Sequence, residues 1–169
     1  MKRRTQRYVK GQMSQSERSV VQEFPLRLTV NGRELTTLVA SPHQLHFLVA
    51  GFLRNQGFVE TLDDFLTLGI CEDFGAANIH LKSEIPEKLV PTLTSGCGTG
   101  ITFNLAGTEL RPKQQQGVFY PSEAVLSLMQ DLNRVTKMYR SHGGIHSAAV
   151  GDDSGLLMHA EDLGRHNTF

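Results

Sequence analysis

The sequence predicts an α/β protein with a β-rich N-terminal part, and three observations carry that reading. Leu26, Leu28 and Val30 alternate with Arg27, Thr29 and Asn31, the period of a half-buried strand. Asn31-Gly32 follows, a dipeptide that tolerates the positive φ of a tight hairpin turn. Further on, Pro121-Ser122 opens a stripe at helical spacing that leads into a strand, a turn and a second strand.

The elements follow in order. Residues 1–22 are polar and basic without periodicity and read as a flexible basic arm. Residues 23–120 read as the β-rich part. After the first strand, Leu35 to Ala40 is its return. Ser41-Pro42-His43-Gln44 has the makings of a capped helix start, with Leu45, Leu48, Val49 and Phe52 as the apolar face and Gly57 as the stop. Thr61 to Asp64 reads as a short capped turn, and 68–71 and 78–82 as strands. Residues 83–96 are loop-like, with Pro86 and Pro91. Residues 105–120 are polar and read as mobile. From 121 onward, Val125, Leu128, Met129, Leu132, Val135 and Tyr139 form a core-facing stripe on one long helix. His142-Gly143-Gly144 ends it. Ile145 to Val150 and Leu156 to His159 are strands, and the acids after His159 suit the first turn of a new helix. The sequence ends at Phe169 just as that helix begins, so residues 121–169 read as the incomplete start of an α/β core, and the chain as one cut short.

Composition narrows the function classes. The chain has 169 residues, 39% hydrophobic and 20% charged, which suits a soluble globular protein. Its 17 cations balance 17 acids, but six cations and one acid fall within residues 1–18. The remainder carries a net charge of −5, a poor basis for general nucleic-acid binding. No apolar run reaches the roughly 18–20 residues of a membrane span, and no apolar segment follows the basic start as a secretory signal requires. Two cysteines make a disulfide scaffold an unsuitable reading, so a cytoplasmic location is expected.

Cys97 is the leading candidate for chemistry. It lies in Thr94-Ser95-Gly96-Cys97-Gly98-Thr99-Gly100, where glycine neighbours can leave a thiolate accessible and let backbone N–H groups turn toward it. A small buried thiol in a turn is the alternative. Cys71 sits in an apolar strand-like run with Leu66, Leu68 and Ile70 and is expected to be buried and inert. His159-Ala160-Glu161 is half of the zinc-deaminase signature, in which His binds the metal and Glu shuttles a proton. No Pro-Cys-x-x-Cys accompanies it, so no bound metal is expected. Arg165 and His166 follow Gly164 near an expected helix start, either as an anion site or as ordinary solvated charges. Gly144 and His146, with His142 and Gly143, are candidates to line the same pocket. His43, His46 and His80 show no pattern and read as structural or exposed.

Together these pieces resemble the formate dehydrogenase accessory sulfurtransferase family (FdhD). The resemblance rests on Val30-Asn31-Gly32, Ala40-Ser41-Pro42, Gly51-Phe52-Leu53, the Cys97 loop, Gly144 to Ala149 and His159 to Asn167. It implies a cytidine-deaminase-like α/β core behind the β-rich part. It further implies that Cys97 carries a persulfide taken from a cysteine desulfurase. The sulfur would pass to the molybdenum cofactor, as molybdopterin guanine dinucleotide, before that cofactor enters formate dehydrogenase. Gly144, His146, Arg165 and His166 are the expected cofactor-binding residues, the phosphates suiting Arg165 in particular. Where many members have a second loop cysteine, this sequence has Gly100. That departure keeps open a non-catalytic cofactor chaperone; a zinc nucleoside deaminase is the third reading. A homodimer is expected by analogy with deaminase-type folds.

Overall fold

The computed structural model describes residues 2–89, 91–93, 101–103 and 119–169. It divides into two compact units, one formed by residues 23–119 with Phe169, the other by residues 1–22 and 120–168.

In the first of these, strand β3 (Phe24–Val30) is the centre of a four-stranded sheet. It pairs antiparallel with β4 (Arg33–Ala40) and parallel with β6 (Ala76–Leu81), and β5 (Phe65–Cys71) closes the far edge against β6. Strand alternation puts Leu26, Leu28 and Val30 on one face, all fully buried. Leu38, Ala40, Ala77, Ile79 and Leu81 join them from the neighbouring strands. Helix α1 (Leu45–Asn55) contributes Leu45, Val49 and Leu53 to the same core, a spacing of four that keeps them on one face.

The expected capping box at Ser41–Gln44 does not form. Gln44 is itself the N-cap, in the left-handed region at φ 50°, and no side chain caps the helix. Ser41 is buried instead. The Thr61–Asp64 box does form: Leu62–Asp64 makes a 3-10 turn, and the Asp64 carboxylate accepts the N–H groups of Thr61 at 2.9 Å and Glu60 at 2.8 Å.

Two glycines are demanded by geometry. Gly32 (φ 78°) follows Asn31 (φ 48°) in the β3–β4 turn. Gly75 (φ 55°) lies so close to β3 that a Cβ would come within 2.5 Å of the Pro25 carbonyl oxygen. Asn31 does more than turn. Its side-chain oxygen accepts the Leu81 N–H at 2.8 Å and its amide donates to the Ser83 carbonyl at 2.9 Å, tying the hairpin to the end of β6.

Residues 83–96 are not all loop. Pro91–Leu93 forms a strand, β7, that pairs antiparallel with β8 (Ile101–Phe103), where neither segment is long enough to show a period in sequence. Phe103 fixes this pair to the core. It is buried, packs edge-on against Phe58 at 5.7 Å and Phe52 at 6.5 Å, and its N–H donates to Gln56 Oε1 at 2.7 Å. The expected mobile segment 105–120 lies outside the described residues up to 118.

The second unit contains the main departures from the sequence reading. In place of a flexible arm, Lys2–Val9 (β1) and Gln12–Ser19 (β2) form an antiparallel hairpin. Lys10 (φ 48°) and Gly11 (φ 82°) make its turn with the same dihedral signs as Asn31-Gly32. The hairpin was hidden because nearly every side chain in it is exposed, so no apolar alternation marks it. The long helix is also two. Helix α2 (Ser122–Val135) ends at Thr136, whose ψ of 89° leaves the helical region, and α3 (Lys137–His142) restarts beyond it. The stripe is accordingly split. Leu128, Leu132 and Val135 are half-buried, whereas Val125, Met129 and Tyr139 are exposed. Leu128 lies over Gly151, where a Cβ would approach its Cδ1 to 2.5 Å. The unit is completed by the antiparallel pair β9 (His146–Asp152) and β10 (Gly155–Asp162) and a 3-10 turn at Arg165–Thr168.

Two predictions follow from the Asn31 and Asp64 contacts. Asn31→Gly keeps the turn conformation but removes both side-chain bonds. It is expected to lower the unfolding free energy of the full chain by about 1–3 kcal/mol in a urea titration. The Thr61 and Glu60 N–H groups hold the Asp64 carboxyl below the usual carboxylate range. Its contribution to stability is therefore present above the unfolded carboxyl pKa and is lost as pH falls through the lower folded value. Asp64→Asn should flatten that acid limb of the stability–pH curve, and the Asp64 carboxyl carbon should titrate below the exposed aspartates by NMR.

Candidate functional site

The His159 to Asn167 block does not lie at a strand-to-helix junction, as its acids suggested. His159, Ala160, Glu161 and Asp162 are the last residues of β10, and the chain turns only after them. His159 is exposed and pairs in register with Ala149. Glu161 is buried and faces α3. One carboxylate oxygen accepts the Met138 N–H at 3.1 Å and the other the Tyr139 N–H at 2.9 Å. These are orphan amides of the first turn of α3, which has no cap from its own N-cap residue. Glu161 is therefore placed as a helix cap delivered from a strand, not as a proton shuttle beside a metal. Among the described residues no cluster of three or more His, Cys, Asp or Glu side chains is placed to hold a metal ion.

Asp162 does similar work one residue on. Its Oδ1 accepts the Gly164 N–H at 2.7 Å and the Asn167 side-chain amide at 2.7 Å. The Thr168 hydroxyl donates to the Arg165 carbonyl at 2.8 Å. A Cβ on Gly164 would come within 2.8 Å of the Asn167 amide nitrogen, so a side chain there would displace the amide that donates to Asp162. The buried acids and the glycine thus fold the turn, and Arg165 and His166 are left exposed upon it.

The four candidate cofactor-binding residues fall at the open end of the β9–β10 ribbon. His146, exposed, begins β9 and pairs with Asp162 at the end of β10. Gly144 (φ 66°) stands one residue, Ile145, before that strand, and Arg165 and His166 come after Asp162, Leu163 and Gly164, in the 3-10 turn. His142 is turned back on its own chain, with Nδ1 at 2.8 Å from the Gly143 carbonyl. The arrangement offers one guanidinium and two imidazoles to solvent at one end of a ribbon.

Cys97 and its glycine loop lie outside the described residues. By sequence it is the middle residue of the seven that join Leu93 to Ile101, which pair across β7 and β8. Cys71 is described, and it is exposed rather than buried, because the end of β5 presents it away from the core. His46 and His80 are exposed, the latter with Nδ1 at 2.9 Å from the Thr67 hydroxyl. His43 is half-buried with its Nδ1 unpaired among the described residues. No helix of the described residues is long and apolar enough to cross a membrane.

A β-rich unit followed by a helix–ribbon unit whose acids brace an exposed Arg-His turn is an α/β arrangement with known counterparts. A crystal structure from Desulfotalea psychrophila, described as a candidate formate dehydrogenase accessory protein, superposes with a TM-score of 0.69. The match covers 99% of this chain and 63% of that one at 18% identity, so it is the fold that is shared. The FdhD/NarQ family model matches residues 21–169, and the chain belongs to that family. Among curated relatives, the sulfur carrier protein FdhD of Bacillus licheniformis is 34% identical over 168 residues. That of Staphylococcus haemolyticus is 30% identical over 168 residues. Each alignment takes in 96% of this chain and 64% of the relative, so the chain spans just under two thirds of their length.

The Glu161 contacts yield a prediction. Glu161→Ala removes the cap from α3 and leaves two amides unsatisfied, at a cost of about 1–3 kcal/mol. Glu161→Gln, which keeps one accepting oxygen, is expected to lose less. Chemical denaturation of the two variants against the parent chain measures both.

Proposed function

We propose that this chain is a sulfur carrier of formate dehydrogenase maturation, with Cys97 as the persulfide-bearing residue. The observation that carries the reading is the family match over residues 21–169, whose curated relatives are named sulfur carrier proteins and which includes the glycine-flanked thiol. In this reading a cysteine desulfurase supplies the sulfane sulfur and the Cys97 thiolate receives it. The outer, sulfane-level sulfur of the persulfide would then pass to the molybdenum of molybdopterin guanine dinucleotide, the substrate, with the reduced metal supplying the two electrons that bring it to the sulfide level and the Cys97 thiolate as the leaving group. Transfer proceeds by thiolate attack, which calls for an accessible and partly ionised sulfur. Glycine on both sides of Cys97 suits that need.

The anionic phosphates of the cofactor match the exposed Arg165 and His166, with His146 and Gly144 near the same ribbon end. Gly100, where a second thiol would stand in many members, makes Cys97 a carrier without a neighbouring resolving cysteine. Gly100 also supports the second reading, a chaperone that binds the cofactor without moving sulfur. The deaminase reading loses its general acid, since Glu161 is buried as the cap of α3.

The test is incubation of the chain with a cysteine desulfurase and cysteine, followed by peptide mass spectrometry without reductant. The expected product is an adduct of about 32 Da, one sulfur atom, on the Cys97 peptide. Exposed Cys71 is a built-in control. Sulfur found equally on Cys71, or retained in full by Cys97→Ala, contradicts the assignment. Dehydrogenase maturation that survives Cys97→Ala undiminished selects the chaperone.

A further inference from the structure

We propose that the outer edge of β1 is a docking strip for an acidic, extended segment of a partner protein, which adds to the hairpin as a third strand. The inference stands apart from the sulfur chemistry, because the hairpin ends at Ser19 and the family match begins at residue 21.

The hairpin has two unmet needs. The first is a third strand. A two-stranded ribbon is at best marginal in water, and this one buries no side chain fully along either strand. Helix α3 contacts β2. Among the described residues β1 has no strand partner on its other side. Its backbone N–H and C=O groups there are a template for pairing.

The second need is negative charge. The register sets Arg3 directly opposite Arg18, so two like charges share one face, which is unfavourable in isolation. Arg4 is opposite Glu17, the one acid in the hairpin. The cations of β1 lie on both sides of the ribbon. Lys2 and Arg4 project to one face, and Arg3 and Arg7 to the other. They therefore flank the edge of the strand rather than cover one surface.

That distribution selects the occupant. A strand lying in the plane of the ribbon presents its own side chains alternately to both faces, so consecutive acids would meet cations on each. A nucleic-acid backbone laid over one face would meet Arg3, Arg7 and Arg18 and miss Lys2 and Arg4. A second copy of β1 brings the same positive charges to the edge and is repelled. The cations thus guard the edge against self-pairing while admitting an acidic strand.

The experiment is fluorescence anisotropy on the full chain with a labelled Glu-rich peptide of about eight residues, the length of β1. Binding is expected, weakening with salt. It should fall about tenfold or more with the pair Arg3→Glu and Arg7→Glu. A Lys-rich peptide of the same length should then bind the charge-reversed chain, which distinguishes lost complementarity from lost folding. Methylating alternate peptide amides, which keeps charge but blocks strand pairing, should weaken binding to a similar degree. The proposal is overturned if the methylated peptide binds as well as the parent, if oligothymidylate binds more tightly than the Glu-rich peptide, or if the peptide does not bind.

Discussion

Strand β3 is the constraint on which residues 23–119 depend. Its three inward side chains, Leu26, Leu28 and Val30, are completely removed from water. The strand pairs on both edges, antiparallel to β4 and parallel to β6. Slipping it by one residue would send all three side chains to the wrong face, so its register is strongly specified. The turns around it are fitted to that register: Asn31 bridges to Leu81 and Ser83, and Gly75 passes within a side chain's width of Pro25. Phe103 then borrows the same core, through Phe52 and Phe58, to hold the β7–β8 pair. The candidate sulfur-carrying residue is joined by three residues on each side to strands rooted in this way.

The unit of residues 1–22 and 120–168 is organised by polar contacts more than by a hydrophobic interior. Ile145 is its one buried hydrophobic residue among those described. Its definition comes instead from two buried carboxylates, Glu161 on the α3 amides and Asp162 on Gly164 and Asn167. Such groups are costly to bury unless satisfied, and satisfied they specify one geometry. In the run Glu161-Asp162-Leu163-Gly164-Arg165-His166-Asn167, labour is divided. Acids, glycine and asparagine shape the turn, and Arg165 and His166 are left exposed on it.

Much of this was legible in the sequence where a period or a turn dipeptide existed. Alternation revealed β3, Asn31-Gly32 its hairpin, spaced leucines and valine helix α1, and Thr61 with Asp64 the capped turn. What was not legible lacked a local signal. Hairpin β1–β2 is polar on both faces, so only Lys10-Gly11 marked it. The break at Thr136 depends on a carboxylate from Glu161, 25 residues away in sequence and invisible to helical spacing. The acids before Gly164 matched a helix first turn in composition, but their hydrogen bonds belong to the end of a strand. Cys71 sits in an apolar run, the pattern of a buried residue, yet half of a sheet's side chains face away from the core, and its side is the outer one. The four candidate cofactor-binding residues, Gly144, His146, Arg165 and His166, fall near the same open end of one strand pair, because the start of β9 lies beside the end of β10.

The proposed function assigns sulfur delivery to the thiol between glycines and cofactor binding to the exposed basic turn. The step that separates a carrier from a chaperone is the onward movement of sulfur. The most direct measurement loads the full chain with radiolabelled sulfur from cysteine and a desulfurase, removes the donor, and adds desulfurated molybdenum cofactor. The account predicts that label leaves the protein and appears in the cofactor, and that Cys97→Ser transfers none while Cys71→Ser transfers normally. Equal transfer by Cys97→Ser, or label that stays on the loaded chain, would contradict it.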